Sequence, residues 1–199
     1  IFLGDQLTDV FEGIARGGSG RARKSGVLTI GVDTLPPLPK DAGDRNRTSP
    51  FAFTGNKFEF RTVGSSQSVA GPLIVLNTIM ADSLDYIATK LEAAGAKTPE
   101  EIGAALQGVI RKIMKDHGRV IFNGDNYSPA WHEEAAARGL PYAPYAAAAI
   151  PAAQTLANSE VLARFNVLSP REFASRNEIY LEKYIKEVMI EARLTFEIA

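Results

Sequence analysis

DRNRTSPFAFTGNKFEFR, residues 44–61, joins an arginine-bearing polar segment to one in which charge and aromatic alternate. In a strand, successive side chains point to opposite faces. Lys57-Phe58-Glu59-Phe60-Arg61 therefore places Lys57, Glu59 and Arg61 on one face, and Phe58 and Phe60 on the other. A carboxylate held between two cations on a stiff strand stays ionised. Thr54-Gly55-Asn56 is a turn signal, so Phe51–Phe53 and residues 57–63 can pair as a hairpin. Arg45 and Arg47 add two guanidiniums just upstream. The residues admit two readings. One is an amphipathic strand whose charged face carries salt bridges; the other is a site in which one anionic ligand among cations receives a metal-bound polyphosphate.

The composition narrows the classes. The chain has 199 residues, a formal net charge of −1 and 45% hydrophobic residues, enough for one large domain or two small ones. It has no cysteine and two histidines, which excludes disulfides and thiolate metal sites and argues against a histidine cluster. Near-neutral charge argues against generic nucleic-acid binding, which needs a broad basic surface. No apolar run reaches membrane-span length. No signal or transit pattern is present, so the default compartment is the cytoplasm. The chain opens without methionine on a helical pattern and closes on Thr195-Phe-Glu-Ile-Ala199 without a stop signal. Both ends read as cuts through a longer protein.

Outward from the central stretch, residues 2–16 carry a helical stripe of Leu3, Leu7, Val10, Phe11 and Ile14. Val27–Val32 is β-branched enough for a strand, and Pro36, Pro37 and Pro39 then force an extended link. Residues 40–48 read as a loop. Helical periodicity runs from 67 to 94, with Leu73, Leu76, Ile79, Met80, Leu84, Ile87 and Leu91 as its buried face and Gly95 as its stop. Thr98-Pro99-Glu100-Glu101 starts a helix that runs to about His117. Val120–Phe122 reads as a short strand, Asn123–Asn126 as a turn, and Ser128-Pro129 as the next helix start. The alanine-rich tract 142–153, interrupted by Pro144 and Pro151, is read neither as helix nor as loop. Ser169-Pro170-Arg171-Glu172 opens the longest helix, whose apolar side holds Phe173, Ile179, Tyr180, Tyr184, Ile185, Val188 and Met189. The fold class is α+β: a few antiparallel strands, then a mainly helical region, with the division near residue 95.

Other motifs give way to simpler accounts. Residues 18–25 approach a phosphate loop, but Arg23 stands where the second glycine belongs and no strand leads into it. His117 suits a helix C-terminus, where the dipole favours a cation. Trp131-His132 reads as a helix anchor beside an exposed histidine. Asp125 and Asn126 lack the regular series and closing glutamate of a calcium loop. Glu178, Glu182, Lys183, Lys186 and Glu187 form a solvated face with i, i+4 pairs.

Asn46-Arg47-Thr48 followed by Glu59-Phe60-Arg61 resembles the end of the active site in type III glutamine synthetases, whose pattern is Asn-Arg-Ser/Thr, a variable link and Glu-x-Arg. Residues 2–8, FLGDQLT, and 63–68, VGSSQS, are similar to that family, as are Ile121–Gly124 and the Tyr127-Ser-x-x-Trp-His132 run, so the resemblance covers nearly the whole chain. It implies residues 1–95 as the C-terminal part of the catalytic domain and 96–199 as the helical C-terminal region. It also implies ligation of ammonia to glutamate at the expense of ATP, through γ-glutamyl phosphate. Glu59 would ligate Mg2+ or Mn2+, and Arg61 would meet the glutamate carboxylate or the acyl phosphate. Arg47 would stabilise the transferring phosphoryl group, and Lys57 would contribute charge to ATP. The family's common form carries an arginine where Lys57 stands, and another in the link occupied here by Phe51-Ala52-Phe53. The family's remaining metal ligands fall before Ile1, which implies that the chain is inactive alone. Stacked hexameric rings are the assembly implied. Two alternatives stay open: another ATP-dependent carboxylate–amine ligase, and a non-enzymatic helical assembly module.

Overall fold

A computed structural model describes residues 1–18, the backbone of 27–28 and 38–39, and residues 48–62, 64 and 67–198. The fold is α+β with mainly helical content. In chain order the elements are α1 (Gly4–Ala15), β1 (Val27–Leu28), β2 (Leu38–Pro39), β3 (Phe51–Phe53), β4 (Phe58–Phe60), α2 (Ala70–Ala93), α3 (Pro99–His117), a 3-10 turn (Gly118–Val120), α4 (Pro129–Ala137), α5 (Ala146–Ala152), α6 (Leu156–Arg164) and α7 (Pro170–Ile198). They fall into two compact units. Unit 1 comprises residues 1–66 and 88–141, and unit 2 comprises 67–87 and 142–199.

In unit 1, β3 and β4 are antiparallel with Phe51 opposite Phe60, Ala52 opposite Glu59 and Phe53 opposite Phe58. The Thr54 amide donates to Lys57 O at 2.8 Å, and Gly55 sits at φ +98, a region that costs a side chain heavily but glycine little. On the far side of β3, Phe2 pairs in parallel with Ala52: Phe2 N donates to Phe51 O (3.0 Å), and Phe53 N to Phe2 O (2.9 Å). Ile1 is bonded in turn to the segment after α3, through Ile1 N to Val120 O (2.8 Å) and Phe122 N to Ile1 O (3.0 Å). Val120 belongs to the 3-10 turn, so the strand expected at 120–122 does not form, and only the two backbone bonds to Ile1 remain. A second antiparallel pair, β1 with β2, matches Val27 to Pro39 and Leu28 to Leu38.

Local signals fix most helix ends. Thr98 and Glu101 close a reciprocal capping box on α3, with Glu101 N donating to Thr98 Oγ1 at 3.2 Å and Thr98 N to Glu101 Oε2 at 3.1 Å. Ser128 caps α4 through Trp131 N (3.3 Å). Gly95, at φ +63, follows α2. In the alanine-rich tract, α5 forms with Pro151 inside it. Helix α6 is a further element, capped by Thr155 Oγ1 accepting from Asn158 N at 3.1 Å.

Unit 2 corrects two expected faces. On α2 the buried residue is Thr78, whereas Leu73, Ile79, Met80 and Leu84 are about half or more exposed at 49%, 53%, 60% and 58%. On α7 the buried residue is Asn177, and Ile179, Ile185, Val188 and Met189 lie on exposed surface. Thr78 and Asn177 tolerate burial because each satisfies its polar atom within its own helix, by donating to Ile74 O (2.8 Å) and Phe173 O (2.9 Å). Periodicity identified apolar stripes; which stripe is covered depends on the neighbouring helices.

Candidate functional site

The charged face of the hairpin is assembled by pairing rather than by sequence proximity alone. Opposed residues of an antiparallel pair share a face, so Ala52 lies with Glu59, between Lys57 and Arg61, while Phe51, Phe53, Phe58 and Phe60 share the other side. Phe58 stacks on Phe51 with ring centroids 5.5 Å apart and touches Phe53 at 5.3 Å. Each such pair contributes roughly 0.5–1.5 kcal/mol beyond area burial. These rings stiffen the strand pair from behind. The covering is the reverse of an ordinary amphipathic strand: Ala52 on the charged face is fully buried, whereas Phe58 and Phe60 are 45% and 46% exposed.

On that face Glu59 is gripped from both ends. Lys57 Nζ lies 3.2 Å from Oε1, and Arg61 Nη2 and Nε both lie 3.2 Å from Oε2. The Lys57 hydrogen bond, then that of Arg61, hold the Glu59 carboxyl below the usual glutamate range, so it is ionised at neutral pH. Exposure falls along the strand, from 64% for the Lys57 side chain to 38% for Glu59 and 18% for Arg61. The arginine is thus the innermost charge. Its backbone is also fixed, because Arg61 N donates to Pro50 O at 2.8 Å.

The structure brings together three of the four residues singled out above; Arg47, with Arg45 and Asn46, lies outside the described residues. A divalent ion needs several hard oxygen ligands. Among the described residues no three histidine, aspartate or glutamate side chains converge on one point. Both Glu59 oxygens are already ion-paired. These residues therefore do not make up a metal centre, and Glu59 is at most one ligand of one. Unit 2 also holds an open apolar cleft beside Leu73, Ile74, Phe165 and Val167. Its two polar side chains, Asn77 and Thr78, donate to their own helix at Leu73 O and Ile74 O, both at 2.8 Å.

A group that the sequence reading passed over as a plain turn lies next to the hairpin. Asn123 Oδ1 accepts from Leu3 N (3.0 Å) and Gly4 N (3.1 Å), supplying the start of α1 with the cap its own N-cap residue, Leu3, does not provide. Asn123 Nδ2 donates onward to Thr8 Oγ1 at 2.8 Å. Asn126 N donates to Thr48 O at 2.8 Å. Phe122 stacks on Trp131 at 4.1 Å, and the Arg138 guanidinium lies over the tryptophan ring at 5.1 Å while donating to Arg119 O and Ile121 O. Asn123 and Asn126 flanking a Gly-Asp pair mark a turn in sequence; nothing there tells what the turn binds.

Residues 105–199 match the family model for the glutamine synthetase C-terminal domain. The chain is 45% identical over its full length to the type-3 glutamine synthetase of Dictyostelium discoideum, covering 27% of that protein. It is 36% identical, again over its full length, to a glutamine synthetase of Bacteroides fragilis, covering 28% of it. A glutamine synthetase of Butyrivibrio fibrisolvens is 34% identical over 96% of the chain, which covers 27% of that protein. The chain belongs to the glutamine synthetase family. Within it, the whole-length match aligns the chain with the type III branch, of which it spans little more than a quarter of the length.

Proposed function

We propose that this chain contributes one wall of a glutamine synthetase active site, in a protein that ligates ammonia to glutamate with ATP. The observation that carries the reading is the whole-length similarity to glutamine synthetases, which includes the strand bearing Glu59 and Arg61. Phosphoryl transfer to the glutamate side chain makes γ-glutamyl phosphate, and ammonia then displaces phosphate. That chemistry asks for positioning and charge neutralisation more than for a covalent protein group. The residues of β4 suit it. Arg61, the least exposed of the three, offers a planar fork to the glutamate carboxylate or the acyl phosphate, contacts that lysine would not reproduce. Lys57, the most exposed, offers a point charge to an ATP phosphate. Arg47 would stabilise the transferring phosphoryl group. Glu59 holds Lys57 and Arg61 in register and would serve as one oxygen ligand for Mg2+ or Mn2+, whose role when bound is to neutralise phosphate charge.

Residues 1–95 are read as the end of the catalytic domain and 96–199 as the type III helical region, with assembly into stacked hexamers as the setting in which the exposed apolar residues of α2 and α7 would be covered. Because the chain spans little more than a quarter of the length of the glutamine synthetases it matches, the isolated chain is expected to be inactive. Glutamine formation by the chain alone, measured against the full-length protein, is the test; turnover above background in the chain overturns that expectation. In the full-length protein, Glu59→Ala is expected to abolish synthesis with assembly intact. Loss of assembly instead favours a purely structural strand.

A further inference from the structure

We infer that Asn126 is a positioning residue for Arg61, acting through the Phe122–Asn126 turn; this rests on the substrate-binding reading of Arg61 given above. Asn126 is 8% exposed, and its amide N–H donates to Thr48 O at 2.8 Å. Two residues further on, the Pro50 carbonyl accepts from Arg61 N at 2.8 Å. The intervening Ser49 is fully buried and folds back on the chain, its hydroxyl donating to Phe51 O at 2.9 Å. Two hydrogen bonds and the three-residue stretch Thr48–Pro50, with Ser49 buried at its centre, therefore connect Asn126 to the backbone of Arg61.

The side chain of Asn126 holds that turn in shape. Its Nδ2 donates to Gly124 O at 3.0 Å and lies 3.5 Å from Phe122 O. Both neighbours are carbonyl acceptors, so the position needs a donor. An aspartate of the same shape would set a carboxylate against two carbonyl oxygens. The turn is also built tightly on its aromatic support. A Cβ at Gly124 would fall 2.7 Å from Phe122 Cζ, and Phe122 is itself stacked on Trp131. With ring, glycine and amide in place, the Asn126 N–H meets Thr48 in one geometry. Asn123, on the same turn, does something different: it caps α1 and makes no bond to the hairpin among those described.

The experiment uses the full-length protein with Asn126→Asp, Asn126→Ala, Asn123→Ala and Arg61→Lys. Amide hydrogen exchange at Arg61 is expected to quicken in both Asn126 variants, more for Asp than for Ala. The KM for glutamate is expected to rise about tenfold in Asn126→Asp, since a small misplacement of a positioning group costs up to roughly a hundredfold, while the KM for ammonia stays put. Asn123→Ala is expected to lower Tm and leave the glutamate KM where it was. Unchanged exchange at Arg61 overturns the connection. Faster exchange with an unchanged glutamate KM, while Arg61→Lys raises it, overturns the positioning role. An equal rise in KM for Asn123→Ala and Asn126→Ala also overturns it, as general loosening. If Arg61→Lys leaves the glutamate KM unchanged, the reading of Arg61 fails, and the inference with it.

Discussion

In unit 1 the elements are joined by hydrogen bonds between residues as much as 120 positions apart, such as Leu3 N to Asn123 Oδ1. In unit 2 the helix starts are set by bonds within a few positions, such as Thr155 with Asn158, or Ser169 N with Glu172 Oε2 at 2.8 Å, while the ion pair of Arg164 Nη1 with Asp82 Oδ1 at 2.9 Å reaches from α6 to α2. The difference teaches where precision resides. Polar, long-range bonds have strict length and direction, so they hold the hairpin and its charges in one place. Short-range caps fix where a helix starts but not what it packs against, and large apolar side chains on α2 and α7 remain exposed. Unit 1 is built to hold a geometry; unit 2 presents surface.

The strongest way to break this contrast is at the aromatic centre of unit 1. Trp131→Ala removes the ring between Phe122 and Arg138 and is expected to cost about 3–5 kcal/mol, measured by urea unfolding followed by far-UV circular dichroism. Leu162→Ala, at the buried position of α6 in unit 2, is expected to cost about 2–5 kcal/mol by the same measurement, but without any change in the glutamate KM of the full-length protein. Arg61→Ala reverses that pattern. It is expected to reduce glutamine formation on the order of 10²–10³-fold with little change in unfolding midpoint, read from steady-state rates beside melting curves.

Smaller effects sharpen the comparison. Thr98→Ala on α3 is expected to cost about 1 kcal/mol. Glu101 adds a pH signature to the same cap. Its carboxylate accepts from the Lys97 and Thr98 amides, and these bonds hold its pKa below the usual glutamate range. A lowered folded pKa means that the stabilisation is complete above the ordinary glutamate value, near 4.3, and is lost as pH falls through the lowered one. The Tm difference between the wild type and Glu101→Gln should therefore be largest at neutral pH and vanish in acid. Last, separating the exposed pairs Lys112–Asp116 in unit 1 and Lys186–Glu182 in unit 2 is expected to leave both melting transitions unmoved, because solvent screens them.

Much of the site was legible in residues 57–61. Period-two alternation alone put Lys57, Glu59 and Arg61 on one face, and the structure keeps them there. The burial of Ala52 on that face was not legible, since Ala52 pairs on one side with Glu59 and on the other with Phe2, fifty positions away in sequence. Capping boxes at Thr98 and Ser169 were readable because every atom involved lies within a few residues. The role of Asn123 and Asn126 was hidden for the opposite reason: their partners are Leu3, Gly4, Thr8 and Thr48.

By itself, then, the sequence determined what short-range chemistry determines: the helix starts, the hairpin turn at Gly55, the alternation of charge and phenylalanine, and the motifs similar to glutamine synthetases. Tertiary structure alone decided that Ala52, opposite Glu59, is fully buried while Phe58 and Phe60 stay exposed, that Thr78 and Asn177 rather than their apolar neighbours are buried, and that a distant turn grips Thr48. The reason is physical. Backbone geometry and capping are set by neighbours along the chain, whereas burial and long-range hydrogen bonds are properties of pairs that only folding brings together.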